Sequence, residues 1–140
     1  MAELSLTLTS HPDAQERALI GNQLALFNDA DVGNAQREDI AVLVREGGAL
    51  VAGLAGYTAW GWLYVQWLWV GQTQRGQGLA GRMLAAAEAE ARVRGCHGAY
   101  IDTFNPQALR AYQKAGYAVF GTLENFPTGR NRSFLAKHLD

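Results

Sequence analysis

The sequence predicts an α/β (α+β) fold, a single domain over residues 1–140 with helices on a mixed, mostly antiparallel central sheet. The first observation is a run of three extended segments separated by short glycine turns, which is typical of antiparallel strands. They cover 40–46, 49–58 and 62–70. The second observation is the helix-forming sequence at 83–94, followed by an extended segment at 99–104. A run of strands followed by alternating helix and strand does not fit a doubly wound sheet.

The remaining elements follow from local patterns. Leu4, Leu6 and Leu8 alternate with polar residues, which predicts a first strand. Pro12 and Asp13 open a helix through about Phe27, and 28–39 is a polar loop with a short turn of helix. The expected core positions of this helix are Ala18, Leu19, Leu24, Leu26 and Phe27. Gly95 is expected to end the helix at 83–94. A helix at 106–115 and strands at 117–123 and 132–137 complete the predicted order.

Composition excludes several classes of function. The net charge of −1 gives no basic excess for nucleic acid, and no apolar run is long enough to cross a membrane. The N-terminus lacks the pattern of a signal peptide. The single cysteine, Cys96, excludes an internal disulfide and fits a reducing compartment. The three histidines are scattered without metal-ligand spacing. We therefore expect a cytoplasmic protein with no metal site.

A glycine-rich loop between the strand at 62–70 and the helix at 83–94 predicts an anion site. Free backbone N–H groups at a helix N-terminus, together with the helix dipole, favour a phosphate, and glycines let it approach closely. The loop consists of Arg75, Gly76, Gln77, Gly78, Leu79, Ala80 and Gly81.

Two phosphate ligands fit this loop. Residues 76–81 satisfy the dinucleotide fingerprint G-x-G-x-x-G, with Asp102 near the position of a ribose-binding acid, which would give a nicotinamide or flavin enzyme. The same residues satisfy Arg/Gln-x-x-Gly-x-Gly/Ala, beginning at Arg75, and so resemble the pyrophosphate loop of the GNAT superfamily of N-acetyltransferases. About half of the chain precedes the loop, whereas a dinucleotide fingerprint normally opens the first β-α-β unit.

A second segment favours the acetyltransferase. Residues 105–117 resemble the GNAT pattern N-x-x-A-x-x-x-Y-x-K-x-G-[FY], with Asn105, Tyr112, Lys114 and Gly116 at the spacing of the family. Thirty residues separate Arg75 from Asn105, which leaves room for one helix and one strand. Together the motifs and the strand order cover roughly residues 40–139.

The resemblance implies acetyl-coenzyme A as co-substrate and a sheet with splayed central strands. The strand ending at Val70 would separate from the strand beginning near Ala99, and the backbone of Leu68, Trp69 and Val70 would bond the pantetheine arm. Residues 75–81 would hold the pyrophosphate. Asn105 would contact the coenzyme or cap the following helix. Tyr112 would protonate the departing thiolate.

The general base is left open by the sequence. Some family members carry a glutamate on the strand that ends near Val70, but 62–70 has no carboxylate in this chain. Others carry one on the next strand, five residues before the asparagine, where this chain has Tyr100. Asp102 lies two residues further along the same strand face and is the catalytic candidate. It could accept the amine proton, bind the ammonium group or bond loop amides. Glu124 and solvent are the alternatives.

The acceptor is an amine that the sequence does not identify. Aromatic side chains and two arginines could form its pocket: Trp60, Trp62, Tyr64, Trp67, Trp69, Phe126, Arg130 and Arg132. On an unbroken strand, Trp60, Trp62 and Tyr64 would lie on one face and Trp67 and Trp69 on the other. A small amine, an amino-acid derivative, an aminoglycoside-like compound and a protein N-terminus all remain open. The same tryptophans could instead build a homodimer contact, and a non-catalytic coenzyme A sensor is the non-enzymatic alternative.

Overall fold

The computed structural model describes residues 2–140 and contains a six-stranded sheet. Contacts divide the chain into two units, Met1–Ala35 and Gln36–Asp140, and the sheet belongs to the second. The strands are β1 (Glu38–Glu46), β2 (Ala49–Ala59), β3 (Trp62–Val70), β4 (Gly98–Thr103), β5 (Ala118–Glu124) and β6 (Asn131–His138). The helices are α1 (Ala14–Val32), α2 (Leu79–Val93) and α3 (Pro106–Lys114).

The sheet order is β1-β2-β3-β4-β6-β5, and within the described part of the chain only β3 and β4 pair in parallel. The predicted fold class, a mixed and mostly antiparallel sheet with helices, is therefore confirmed. A parallel sheet, which the dinucleotide alternative requires, is not what the chain forms. Among residues 2–140, no helix is both long enough and apolar enough to span a bilayer.

The first unit differs from its prediction in two respects. Residues 2–9 form no strand, and Leu4, Leu6 and Leu8 are at least 94% exposed. The expected core positions of α1 are exposed, and none of its residues is buried. Alternation and helical periodicity identify the side that could be buried, whereas burial itself needs a packing partner. The helix begins as predicted, where the Asp13 side chain accepts bonds from the N–H groups of residues 15 and 16.

The predicted loop at 28–39 is also wrong at both ends. Helix α1 continues to Val32, and β1 already begins at Glu38. The polar residues after Phe27 lower helix propensity only slightly, whereas Gly33 has φ +92° and interrupts the helix. The remaining elements lie within two residues of their predicted bounds, apart from α2, which begins four residues earlier. Gly95, at φ +82°, follows the end of α2 as predicted, and its N–H bonds the Arg92 carbonyl.

A β-bulge in β3 changes the face on which its tryptophans lie. Gly56 pairs with Val65, but Ala55 pairs with Trp67, so Gln66 is an extra residue in the ladder. A Cβ at Gly56 would overlap the Tyr64 carbonyl, which explains why the strand opposite the bulge needs glycine. Because the bulge adds one residue, Trp67 lies on the same face as Tyr64.

The prediction that placed Trp67 and Trp69 on the opposite face from Trp62 and Tyr64 is thus wrong for this strand. The register puts all four on one side, because their partners on β2 are alternate residues of an unbroken stretch. The other side of β3 carries Leu63 and Val65, which are buried, and it is the side that α2 covers.

The hydrophobic core lies between the sheet and α2 with α3. Leu54, Leu63, Met83, Leu84 and Leu135 are its largest fully buried apolar side chains besides Val65. Of the residues that the structure describes, one charged group is buried in the core. Glu88 of α2 is 3% exposed and accepts bonds from the Tyr117 hydroxyl at 2.8 Å and from the Lys137 ammonium at 2.7 Å. Two donors, one of them cationic, offset the cost of burying this carboxylate.

Candidate active site

The site begins where the two parallel strands separate. β3 pairs with β4 at only four positions, from Trp62 with Gly98 to Val65 with Ile101. Beyond the bulge at Gln66, the backbone of β3 has no partner on β4, and a cleft of about 1160 Å³ opens between the two strands. The predicted splay of the central strands is therefore present, and it leaves backbone N–H and C=O groups of β3 available to a ligand.

The glycine loop forms one end of this cleft. Gly76 and Gly78 have φ of +82° and +75°, a backbone conformation that residues other than glycine rarely adopt. Gly78 is the N-cap residue of α2, and no side chain caps that helix. Nothing lies within 4 Å of a Cβ built at either glycine, so the space beside them is open. The first N–H groups of α2 therefore point to a site suited to a phosphate.

Most of the predicted coenzyme-binding residues line the cleft. These are Leu68, Trp69, Val70, Arg75, Gly76, Gly78, Leu79, Ala80, Gly81 and Asn105. Gln77 is exposed and is not among the lining residues. The Arg75 guanidinium donates to the Val70 carbonyl at 3.1 Å, which ties the loop to the end of β3. Arg75 thus has a structural contact at the position where the resemblance implies a phosphate contact.

Tyr112 lies on α3 and faces the cleft. Its side chain is 5% exposed. Burial, with the nearby charge of Asp102 as the smaller cause, raises the pKa of Tyr112 to about 12. The hydroxyl therefore keeps its proton throughout the physiological range and can act as a donor.

Asp102 lies on β4 one residue past the last position paired with β3. Its Oδ1 accepts from Nε of Arg132 at 2.9 Å and ion-pairs with the second guanidinium nitrogen at 2.7 Å. Its Oδ2 accepts from the Tyr64 hydroxyl at 3.2 Å, and burial followed by the Asp102 charge raises the pKa of Tyr64. An ammonium group entering the cleft would share this carboxylate with Arg132.

Asn105 adopts the capping role that the sequence left as one of two alternatives. Its side-chain oxygen accepts from the N–H groups of Gln107 at 2.9 Å and Ala108 at 3.0 Å, at the start of α3. Pro106 follows at the first helical position, where its missing N–H costs nothing. The cap fixes the direction of α3 and therefore the position of Tyr112. A contact of Asn105 with the coenzyme stays a prediction.

Charged and aromatic side chains that were not predicted as coenzyme or catalytic residues also line the cleft, among them Lys114, Trp67 and Arg132. Lys114 lies two residues after Tyr112, within the segment that resembles the family, so the motif could have identified it. Trp67 faces the cleft only because of the bulge, and no sequence signal marks the bulge. Arg132 comes from β6, thirty residues beyond Asp102, and only the sheet order brings the two together. Glu124, the alternative base, is exposed at the end of β5 and does not line the cleft.

Comparison with known proteins agrees with this site. Residues 6–117 match the acetyltransferase (GNAT) family. The chain is 42% identical over 135 residues to the acetyltransferase Atu2258 of Agrobacterium fabrum, covering 96% of this chain and 98% of that protein. It is 41% identical over 95 residues to the blasticidin-S acetyltransferase of Streptomyces morookaense, covering 67% and 70% of the two chains.

The fold is similarly shared with solved structures. A crystal structure of an acetyltransferase from Bacillus cereus superposes with a TM-score of 0.86 at 26% identity, covering 95% of this chain and 98% of that one. The strand splay, the glycine loop and the cleft-facing tyrosine therefore occur in a chain whose sequence and fold both point to one family. The protein belongs to the GNAT family of acetyltransferases, which use acetyl-coenzyme A as the acetyl donor.

Proposed function

We propose that the protein transfers the acetyl group of acetyl-coenzyme A to the nitrogen of a primary amine, by direct attack in a ternary complex. The observation that carries this proposal is the convergence, in one cleft, of the glycine loop, the unpaired edge of β3 and Tyr112. The loop suits a pyrophosphate, the free edge suits the amides of an extended arm, and the tyrosine suits the departing sulfur.

The chemistry requires one bond to form as another breaks. The amine nitrogen attacks the thioester carbonyl carbon, and the carbon–sulfur bond then breaks to release the thiol. A backbone N–H from the unpaired stretch of β3 stabilises the negative charge that develops on the carbonyl oxygen. Holding both reactants in one cleft supplies much of the remaining rate, up to ~7–11 kcal/mol in well-oriented cases.

Tyr112 donates a proton to the sulfur as the thiolate leaves. An ordinary thiol has a pKa of about 8.5, so a phenol whose pKa lies near 12 is a weak donor towards it. The hydrogen bond from the hydroxyl to the developing thiolate therefore provides part of the stabilisation of the leaving group. Asp102 receives the proton of the amine, directly or through water, and its ion pair with Arg132 holds the carboxylate in place.

The acceptor in this proposal is a small molecule. The name of the Streptomyces relative, a blasticidin-S acetyltransferase, supports this class over a protein N-terminus. We also propose that residues 1–140 act as one acetyltransferase domain in the cytoplasm, as a homodimer. The family match extends over both units, which supports a single acetyltransferase domain. The lone buried thiol of Cys96 is compatible with a reducing compartment.

Thermal unfolding with acetyl-coenzyme A, coenzyme A and NAD, followed by an amine screen read by thiol release, tests the proposal. A ligand that binds only the folded state raises Tm by mass action. We expect a rise with the two coenzyme A ligands, and thiol release that depends on an added amine. Binding of acetyl-coenzyme A without turnover of any amine would instead favour a non-catalytic coenzyme A sensor.

A further inference from the structure

A second pocket, about 540 Å³ in volume, lies on the face of the sheet opposite α2 and α3. Two alanines and five aromatic side chains line it. The aromatic residues are Tyr57, Trp60, Trp62, Tyr100 and Phe120, and we call this the aromatic pocket. Its lining comes from β2, β4, β5 and β6, and from the start of β3 with the turn before it, so the pocket crosses the strands.

The rings at the centre of this face hold one another in place. Tyr64 stacks on Tyr100, with centroids 4.6 Å apart and planes inclined by 15°. Tyr57 meets Tyr64 edge-on at 5.6 Å, and Trp62 meets Tyr100 edge-on at 6.1 Å. The Arg37 guanidinium lies 3.8 Å from the centroid of the Tyr57 ring. Such contacts leave rigid π surfaces that a planar ring can stack on.

Side-chain contacts link Tyr100 of the aromatic pocket to Asp102 of the active-site cleft. Tyr100 and Asp102 are alternate residues of β4 and share one face of the sheet. Tyr64, which stacks on Tyr100, donates its hydroxyl to the Asp102 carboxylate at 3.2 Å. Asp102 itself lines the cleft. The cleft therefore opens on the aromatic face on one side of the sheet, and Tyr112 borders it from the helix-covered side.

We propose that the aromatic pocket binds the acceptor, and that the acceptor carries a planar aromatic ring about 7–10 Å from its reactive primary amine, the length of two to three strand residues. This inference rests on the proposed acetyl transfer. The ring stacks among Tyr57, Trp62 and Tyr100, and the chain leading to the amine follows β4 towards Asp102. A polyamine or aminosugar without a planar ring would leave these aromatic surfaces unused.

The test compares amines that differ only in the ring. Phenylalkylamines of increasing chain length, from benzylamine to 5-phenylpentylamine, are assayed by thiol release beside their cyclohexyl counterparts, with spermidine as a ring-free amine. We expect kcat/KM to rise along the phenyl series and to exceed the cyclohexyl value by roughly 2- to 10-fold at matched length, which is the contribution of an aromatic pair beyond its buried area.

Substitutions then locate the effect. Tyr57→Leu should raise the KM of the preferred phenylalkylamine at least threefold, leaving the cyclohexyl amine and the KM for acetyl-coenzyme A nearly unchanged. Tyr57→Phe, which keeps the ring, should retain the wild-type preference. Equal use of phenyl and cyclohexyl amines, or a better rate with spermidine, would overturn the assignment of the pocket while acetyl transfer stands. Failure of every amine together with no thermal shift by acetyl-coenzyme A would overturn both.

Discussion

Removing the hydroxyl of Tyr112 tests the role of this residue, and Tyr117 offers a matched control. Both tyrosines are nearly buried, and they lie five residues apart near the end of α3. Tyr112 lines the cleft, whereas the Tyr117 hydroxyl donates to the buried Glu88 carboxylate at 2.8 Å. Phenylalanine at either position keeps the ring and removes one oxygen. The two variants should therefore affect different properties.

The expected magnitudes follow from these surroundings. General acid catalysis is typically worth ~10²–10⁴-fold, and the raised pKa of Tyr112, about 12, makes it a weak acid. We therefore expect Tyr112→Phe to lower kcat by about 10²-fold, which corresponds to ~2.7 kcal/mol of activation free energy. Tyr117→Phe should lose a hydrogen bond to a charged group, which lowers the free energy of unfolding by about 1.5–3 kcal/mol.

Steady-state thiol release and urea unfolding measure the two effects on the same protein samples. Tyr112→Phe should keep the wild-type KM for acetyl-coenzyme A and nearly wild-type stability, and Tyr117→Phe should keep a kcat within a few-fold of wild type. A kcat for Tyr112→Phe within threefold of wild type would refute its role as the proton donor. Equal losses of kcat in both variants would indicate that helix packing, rather than the cleft hydroxyl, controls the rate.

Three further predictions concern stability, the carboxylate at the cleft and pH. Lys137→Met should lower the free energy of unfolding by about 3 kcal/mol because it leaves Glu88 buried without its cation. Adding Glu88→Gln to this variant should restore part of the loss. A double variant no more stable than Lys137→Met alone would contradict this explanation. Asp102→Asn should lower kcat/KM for the amine far more than it changes the Tm shift produced by acetyl-coenzyme A, and unchanged amine kinetics would remove Asp102 from the reaction. Burial raises the pKa of Tyr100 and of Tyr112 to about 12, above their ordinary value near 10, so the folded state holds these protons more tightly than the unfolded state. This stabilising contribution is complete below pH 10 and is lost as pH rises from about 10 to 12, so the urea midpoint should fall over that window. A midpoint that stays flat would show that the two tyrosines titrate normally.

Local sequence determined the parts of this protein that depend on neighbours along the chain. The loop at 75–81 needs glycine where φ is positive, and Gly76 and Gly78 mark those positions. Asn105 before Pro106 marks the start of α3, and with it the placement of Tyr112 on the helix. The strands of the sheet could be read from apolar segments and glycine turns, and the resemblance to a family supplied the splay between β3 and β4.

Tertiary structure decided what depends on residues far apart in sequence. The extra residue Gln66 turns Trp67 and Trp69 to the face of Tyr64, because β-strand side chains alternate and one inserted residue reverses all that follow. The pairing of Asp102 with Arg132 arises because β6 lies beside β4 in the sheet order. The alternation of Leu4, Leu6 and Leu8 could not predict a strand, since a strand forms only where another backbone edge accepts its hydrogen bonds. Sequence thus specified local conformation and the identity of the reactive groups, while pairing between distant segments determined which of those groups meet.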